Sequence, residues 1–91
     1  MKVLLLISLL ATLLFSAVDL NNATAEELIS LKGIGQKKAT KILKYRENHC
    51  FKSLKELKKV KGIKKKKAKK IIKKNKGNIS LGACKLKGNS E

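Results

Sequence analysis

The chain has 91 residues, with 23 lysines and arginines against 6 aspartates and glutamates. Because it lacks proline and tryptophan and has only 1 tyrosine and 2 phenylalanines, it cannot build a large core, and one small domain is the upper limit. Its formal charge of +17 indicates a polyanionic partner, although the sign of the charge does not separate a nucleic acid from a membrane surface or an acidic protein.

Residues 1–17, MKVLLLISLLATLLFSA, differ from the rest of the chain because they hold one lysine, an apolar run and then small residues. This pattern is typical of a secretory signal peptide, and we expect cleavage after Ala17 and export to the periplasm or cell surface of a bacterium. The apolar run is short for a membrane span, which favours cleavage. Phe15 is bulky where the cleavage pattern prefers a small residue, so an uncleaved membrane anchor is the alternative.

A near repeat occupies the middle of the chain. The segment LKGIGQKKATKIL, residues 31–43, returns as VKGIKKKKAKKII, residues 60–72. The similarity extends upstream, where Thr24 and Glu27 in the first copy, like Ser53 and Glu56 in the second, have the spacing of a capping box at a helix start. Each copy therefore predicts a short helix that begins after its hydroxyl residue.

A glycine follows the last apolar position of each short helix and is expected to end it, and a second helical pattern begins at once. The apolar face of that second helix comprises Ala39, Ile42 and Leu43 in one copy and Ala68, Ile71 and Ile72 in the other. Each repeat is thus predicted to form a helix, a tight hairpin and a second helix. The predicted fold is an all-α domain of four short helices over residues 18–76.

The glycine hairpins could be plain turns, which is the usual interpretation of a lone Gly-x-Gly sequence. Their near duplication, with a small alanine and several lysines in the helix that follows, favours a binding function instead. The isoleucine of each hairpin can pack between the helices while neighbouring backbone N–H groups point outwards at the positive end of the next helix. Such N–H groups can bind a phosphate oxygen.

These features resemble the helix-hairpin-helix motif of proteins that bind DNA without sequence preference. From residue 18 to about residue 75, with the segments VDLN, ATAEEL, GIG, YRE and FKSLKEL, the chain is similar to the DNA-binding domain of the ComEA family, exported competence receptors that hold incoming double-stranded DNA. The resemblance implies a tandem pair of motifs and sequence-independent phosphate contacts. The residues implied in those contacts are Gly33, Ile34, Gly35, Lys37 and Lys38 in the first repeat and Gly62, Ile63, Lys64, Lys66 and Lys67 in the second.

The second hairpin departs from the family pattern, because Lys64 stands where the family usually has a second glycine. If that position requires a positive φ, the strain is on the order of 1 kcal/mol, whereas a negative φ avoids it. The added cation could offset the loss. We therefore expect the second site to act more through charge than through backbone fit.

Residues 77–91 form a basic tail without a counterpart in the family. Its glycines argue against a long helix, and the segment NISLGA could be extended. Cys50 and Cys84 would reach an oxidising compartment after export, so an intrachain disulfide is predicted, with free thiols or an intermolecular bridge as alternatives. Closing a loop of about 35 residues would stabilise the fold by on the order of 3 to 4 kcal/mol in the chain-entropy model.

Counting the remaining chemical groups gives no catalytic or metal-binding constellation. His49 and the two cysteines fall short of the four ligands of a structural zinc site, and the histidine has no orienting partner in the sequence. We therefore expect neither enzymatic activity nor a cofactor.

The expected function is that of an exported protein that binds double-stranded DNA during natural transformation, acting as a receptor or ratchet, with the inner-membrane DNA-uptake machinery as a further partner. A secreted cationic protein that acts on membranes is the alternative. A fragment of a repair enzyme that carries the same motif is a third interpretation, weakened by the leader segment and the missing catalytic groups.

Overall fold

The computed structural model describes residues 17–86, so the predicted signal peptide, apart from Ala17, and the last five residues of the tail lie outside the described residues. The described chain is mostly helical and contains four helices. No helix within residues 17–86 has the length and apolar character needed to cross a membrane. In chain order the elements are β1 Val18–Asp19, α1 Ala25–Ile29, α2 Gln36–Arg46, a 3₁₀ helix Leu54–Lys59, α3 Lys65–Lys74 and β2 Ile79–Ser80.

One small core lies between the two repeats. Helix α1 packs on α2, and the 3₁₀ helix packs on α3. Helices α2 and α3 bury the alanine and the first isoleucine of their apolar patterns. The next residue, Leu43 in α2 and Ile72 in α3, is half-buried. The predicted apolar faces are therefore confirmed. The largest fully buried side chains are Leu20, Leu28, Ile42, Leu57, Val60, Ile63 and Ile71.

The two predicted capping boxes have different outcomes. In the first copy both reciprocal bonds form, since Glu27 N–H donates to Thr24 Oγ1 over 3.2 Å and Thr24 N–H donates to Glu27 Oε1 over 2.8 Å. In the second copy the Ser53 side chain makes no cap bond. Glu56 Oε1 instead accepts from the backbone N–H of Lys52 over 2.9 Å, so the predicted second capping box is wrong.

The second short helix, Leu54–Lys59, is a 3₁₀ helix, whereas its counterpart in the first copy is an α-helix. Its apolar residues Leu54, Leu57 and Val60 recur at every third position, and a 3₁₀ helix places such residues on one face because it has about three residues per turn. The first copy has the same spacing in Ala25, Leu28 and Leu31 but forms α1. Only the first copy has the complete capping box, so the difference in helix type accompanies the difference in capping and not a difference in apolar spacing.

The beginning of the tail packs against the beginning of the domain. Strands β1 and β2 pair in parallel, with Val18 opposite Ile79 and Asp19 opposite Ser80. Ile79 is buried in the core, and the N–H of Val18 donates to the carbonyl of Asn78 over 2.8 Å. The extended piece expected within NISLGA is thus present, and residues 77–86 are joined to the helical domain.

Asp19 and Asn21 hold this junction together through side-chain hydrogen bonds. Asp19 Oδ1 accepts from the backbone N–H groups of Asn21 and Gly82, each over 2.8 Å. Asn21 Nδ2 donates to the carbonyls of Phe51 and Gly82, each over 3.0 Å, and its Oδ1 accepts from Phe51 N–H over 2.7 Å. A Cβ at Gly82 would collide with the Asp19 carboxylate, so this position requires glycine.

A disulfide between Cys50 and Cys84 closes the same junction. The two Cα atoms are 5.7 Å apart, and 34 positions separate the residues in sequence. The bridge joins the segment that links the repeats to the segment that follows β2. The described part of the tail is therefore tethered by backbone pairing, by side-chain hydrogen bonds and by a covalent bond.

Candidate functional site

The first hairpin, residues 31–35, turns the chain sharply between α1 and α2. Gly33 has φ +90°, which L side chains rarely adopt, and the N–H of Ile34 donates to the carbonyl of Leu31 over 3.2 Å. Ile34 is buried and anchors the turn. Gly35 is the N-cap of α2, with φ −98° and ψ −170°, and its carbonyl accepts from Ala39 N–H over 2.9 Å.

The second hairpin, residues 60–64, repeats this backbone. Gly62 has φ +90°, and the N–H of Ile63 donates to the carbonyl of Val60 over 2.9 Å. Ile63 is buried like its counterpart. Lys64, the N-cap of α3, has φ −85° and ψ 167°, an extended conformation open to any residue. The replacement of glycine by lysine therefore causes no backbone strain, and the possible cost raised by the sequence is absent.

The first turns of α2 and α3 can bind an anion. Neither helix has a side-chain cap at its N-terminus among residues 17–86, and neither has an acidic residue in its first turn. The backbone N–H groups there have no partner within the helix. Both first turns carry lysines, Lys37 and Lys38 in α2 and Lys65, Lys66 and Lys67 in α3. Cations at the positive end of a helix are unfavourable unless a negatively charged ligand is bound.

Contacts across the repeat boundary fix the position of the first hairpin. A Cβ placed on Gly33 would lie 3.2 Å from Cγ1 of Ile71 in α3. Beyond the end of α3, Asn75 Oδ1 accepts from the N–H of Lys32 over 2.8 Å, and its Nδ2 donates to the carbonyl of Lys32 over 2.9 Å. The second repeat therefore holds the backbone of the first hairpin in place.

A corresponding contact from the first repeat reaches the second hairpin. The side chain of Lys41 in α2 crosses Gly62, so that a Cβ there would be 2.9 Å from Lys41 Nζ and 3.2 Å from its Cδ. Each hairpin is thus in contact with the second helix of the other repeat. The two hairpins belong to a single surface as a result.

The electrostatics of this surface agree with that arrangement. The proximity of Lys67, helped by partial desolvation, lowers the pKa of Lys38, and Lys41 lowers it further. Lys38 and Lys67 occupy equivalent positions in the two copies of the repeat. The side chains of Lys38 and Lys67 are therefore close neighbours, and they concentrate positive charge at the first turns of α2 and α3.

The structure places the ten predicted site residues in two groups. Ile34 and Ile63 are buried, so these two can offer a ligand only their backbone. Of the other eight, Lys38 is half-buried and the rest are exposed around the two hairpins: Gly33, Gly35, Lys37, Gly62, Lys64, Lys66 and Lys67.

Two residues of this region were missed by the sequence interpretation. Asn75 is 3 % exposed and holds the first hairpin, and Lys41 crosses the second. The sequence pattern could have indicated that Asn75 is buried, because it continues the apolar face of Ala68, Ile71 and Ile72 by one helical turn. No sequence pattern marks Lys41, because its role depends on contact between the repeats.

His49 and the cysteines form no metal site in the described chain. No group of three or more histidine, cysteine or acidic residues within residues 17–86 could hold a metal ion. His49 is exposed and stacks on Tyr45, with ring centroids 4.6 Å apart, and Tyr45 packs on buried Phe51 with centroids 5.0 Å apart. These aromatic residues therefore support the core and the end of α2.

Comparison with known proteins places this geometry in a family. A family model described as a helix-hairpin-helix motif matches residues 15–76, a range that includes all four helices and both hairpins. No curated protein matches the chain.

Proposed function

Because this chain belongs to the helix-hairpin-helix family, which indicates DNA binding, we propose that it binds double-stranded DNA through two motifs without reading the bases. The two hairpins would contact phosphates across a minor groove. Backbone N–H groups at the starts of α2 and α3 would donate hydrogen bonds to phosphate oxygens, and the nearby lysines would neutralise their charge.

The observation that carries this proposal is that the two hairpins have the same backbone conformation. Gly33 and Gly62 share φ +90°, Ile34 and Ile63 are buried beside them, and both following helices begin without a side-chain cap. A charged surface that only kept the protein soluble would not need two matched, uncapped helix starts.

Sequence-independent binding is supported by the side chains around the hairpins. Most of them are lysines, which bind phosphates as point charges, and Gln36 is the one amide side chain in the first turns of α2 and α3. Phosphate contacts position a protein on the duplex but carry no sequence information.

The membrane-active alternative is disfavoured by the direction of the apolar faces. A helix that lies on a lipid surface presents a broad apolar face to it. Among the described residues the only exposed large hydrophobic side chain is Ile29, with 37 % of its surface accessible. Helices α2 and α3 bury Ile42 and Ile71 in the core. The described surface therefore suits a polyanion in water better than a lipid interior.

Export and a role in DNA uptake are further parts of the proposal, and they rest on residues 1–17 and on the resemblance to competence receptors. The leader would be removed after Ala17, and the mature protein would hold entering DNA outside the inner membrane and hinder its return. The DNA-uptake machinery of that membrane would be the next partner. Intact-mass measurement of protein from the periplasm tests the first step, and a mass that includes residues 1–17 would contradict cleavage.

Salt-dependent duplex binding is the direct test of DNA binding. If about 4 to 6 phosphates are neutralised, the plot of log affinity against log salt should have a slope of roughly −4 to −5 on duplexes of unrelated sequence. Replacing Lys66 and Lys67 by alanine should flatten the slope by about one unit for each lost contact. A slope near zero, or strong preference for one sequence, would contradict the proposal.

A genetic experiment tests the biological role separately. Deletion of the gene should lower the frequency of transformation by double-stranded DNA, and a copy with both lysines replaced should restore it only in part. Normal transformation in the deletion strain would contradict the role in DNA uptake. It would not contradict DNA binding, which the measurements in solution test.

A further inference from the structure

Lys41 differs from the other lysines of α2 in what it contacts. Its side chain leaves the first repeat and crosses the second hairpin, where its Cδ, Cε and Nζ lie 3.2, 3.6 and 2.9 Å from the Cβ position of Gly62. Lys41 is only half-buried, and within residues 17–86 no carboxylate forms an ion pair with it. Its ammonium group therefore lies against the hairpin with its charge uncompensated.

The equivalent contact is missing in the other direction. Lys70 occupies the position of Lys41 in the second copy, but the only described atom within 4 Å of the Cβ position of Gly33 is Cγ1 of Ile71. Lys70 is exposed on α3. The first hairpin is thus covered by an apolar side chain, and the second hairpin is covered by an ammonium group.

This asymmetry coincides with the difference in charge between the hairpins, which otherwise differ only in Leu31 against Val60. The N-cap of the first is Gly35, with open space around its Cβ position, and that of the second is Lys64. A phosphate can approach the uncovered backbone at Gly35 closely, whereas at the second hairpin Lys41 and Lys64 place two long cationic side chains around the turn. The second hairpin is built to attract a phosphate mainly by charge.

We propose that Lys41 is a phosphate ligand of the second hairpin, so that this DNA contact is made jointly by both repeats. The assignment rests on the proposed function and adds to it a residue outside the motif's own hairpin. It also makes correct packing of the repeats a condition for full affinity, because α2 brings Lys41 to Gly62 only in the folded domain.

The experiment compares Lys41→Met with Lys70→Met in the whole chain, and methionine keeps most of the apolar stem while removing the charge. Both variants lose one positive charge from equivalent positions. Duplex affinity at low ionic strength should fall about tenfold for Lys41→Met, as for one charge-assisted hydrogen bond, and about twofold or less for Lys70→Met, whose charge is screened. The salt slope should flatten by about one unit only for Lys41→Met.

Lys41→Arg provides the conservative control, and it should recover most of the affinity and the salt slope. Thermal unfolding of all three variants should stay near that of the wild type, which separates loss of a ligand from loss of packing. If the wild type binds duplex and both methionine variants lose the same affinity, the assignment of Lys41 is overturned while the proposed function stands. A wild-type chain that did not bind duplex would overturn the proposed function and this assignment with it.

Discussion

Lys38 and Lys67 are close neighbours although they belong to different repeats, and Lys67 is the main cause of the lowered pKa of Lys38. The two lysines are equivalent in the repeated sequence. Two like charges held this close repel each other, and a phosphate placed between them would relieve that repulsion. Their approach is a consequence of how one repeat packs on the other, and it brings two local turns into one cationic surface.

Separate alanine substitutions distinguish the two glycines of the first hairpin. Gly33→Ala should destabilise the fold by about 1 to 2 kcal/mol, because the residue has φ +90° and a Cβ would press on Ile71. Gly35→Ala should cost less, on the order of 0.5 kcal/mol, since its backbone is extended and its Cβ position is open, and alanine is only a poorer N-cap than glycine. Chemical denaturation monitored by circular dichroism measures both.

The same pair tests phosphate binding by the backbone. Gly35→Ala adds a methyl group where a phosphate would approach, and it alters no charge, so duplex affinity should fall by about 1 to 3 kcal/mol while the protein stays folded. Fluorescence anisotropy with labelled duplex gives this value. If Gly35→Ala binds as tightly as the wild type, the first hairpin is a scaffold for surrounding lysines and not a phosphate site.

Replacing Asn75 should show how firmly α3 holds the first hairpin. Asn75→Ala removes the side-chain bonds to both backbone groups of Lys32 and the bond to the carbonyl of Ile71, so we expect a loss of about 2 to 4 kcal/mol of stability. Asn78→Ala is the matched control, because Asn78 is exposed and its side chain makes no hydrogen bond within residues 17–86. Similar unfolding midpoints for the two variants would contradict the proposed anchoring.

The disulfide should contribute stability without contributing to DNA binding. Reduction, or replacement of Cys50 and Cys84 together by serine, should cost about 3 to 4 kcal/mol in the chain-entropy model, given the sequence separation of 34. Duplex affinity at a temperature where the reduced protein is folded should stay near the wild-type value. Intact mass with and without alkylation tests the bridge itself, and two thiols alkylated without reductant would exclude it.

Acid should weaken the junction between the tail and the first strand through Asp19. Burial tends to raise the pKa of this carboxyl, but hydrogen bonds from Asn22, Gly82 and Asn21 outweigh it and lower the pKa below 3.8. Because the folded-state pKa is the lower one, the stabilisation is fully present well above pH 3.8 and is lost as the pH falls through the folded-state value.

The measurement is the unfolding midpoint as a function of pH for the wild type and for Asp19→Asn. The variant should be less stable at neutral pH, and its stability should change less between neutral and acid pH. The two curves should converge in acid. Parallel curves over the whole range would show that Asp19 does not contribute to the acid sensitivity.

The sequence by itself determined the elements that depend on neighbouring residues. Apolar spacing located the buried faces of α2 and α3, Gly33 and Gly62 located the turns, and Thr24 with Glu27 located the start of α1. These features are predictable because helix periodicity, the left-handed conformation of glycine and reciprocal capping each act within a few residues.

Tertiary structure decided which local possibilities were used and how the repeats combined. Ser53 had the spacing of a cap but forms no cap bond, and Lys64 occupies a glycine position without strain because the backbone there is extended. Neither outcome follows from residue spacing, since each depends on the backbone angles that packing imposes.

The contacts of Lys41 with Gly62 and of Asn75 with Lys32 depended on tertiary structure entirely. They join residues that are far apart in the chain, and their existence follows from the orientation of one repeat on the other. That orientation is set by the shared core, whose packing is a property of all its side chains together. The repeat therefore encodes two hairpins locally, and their union in one cationic surface is a result of the folded core.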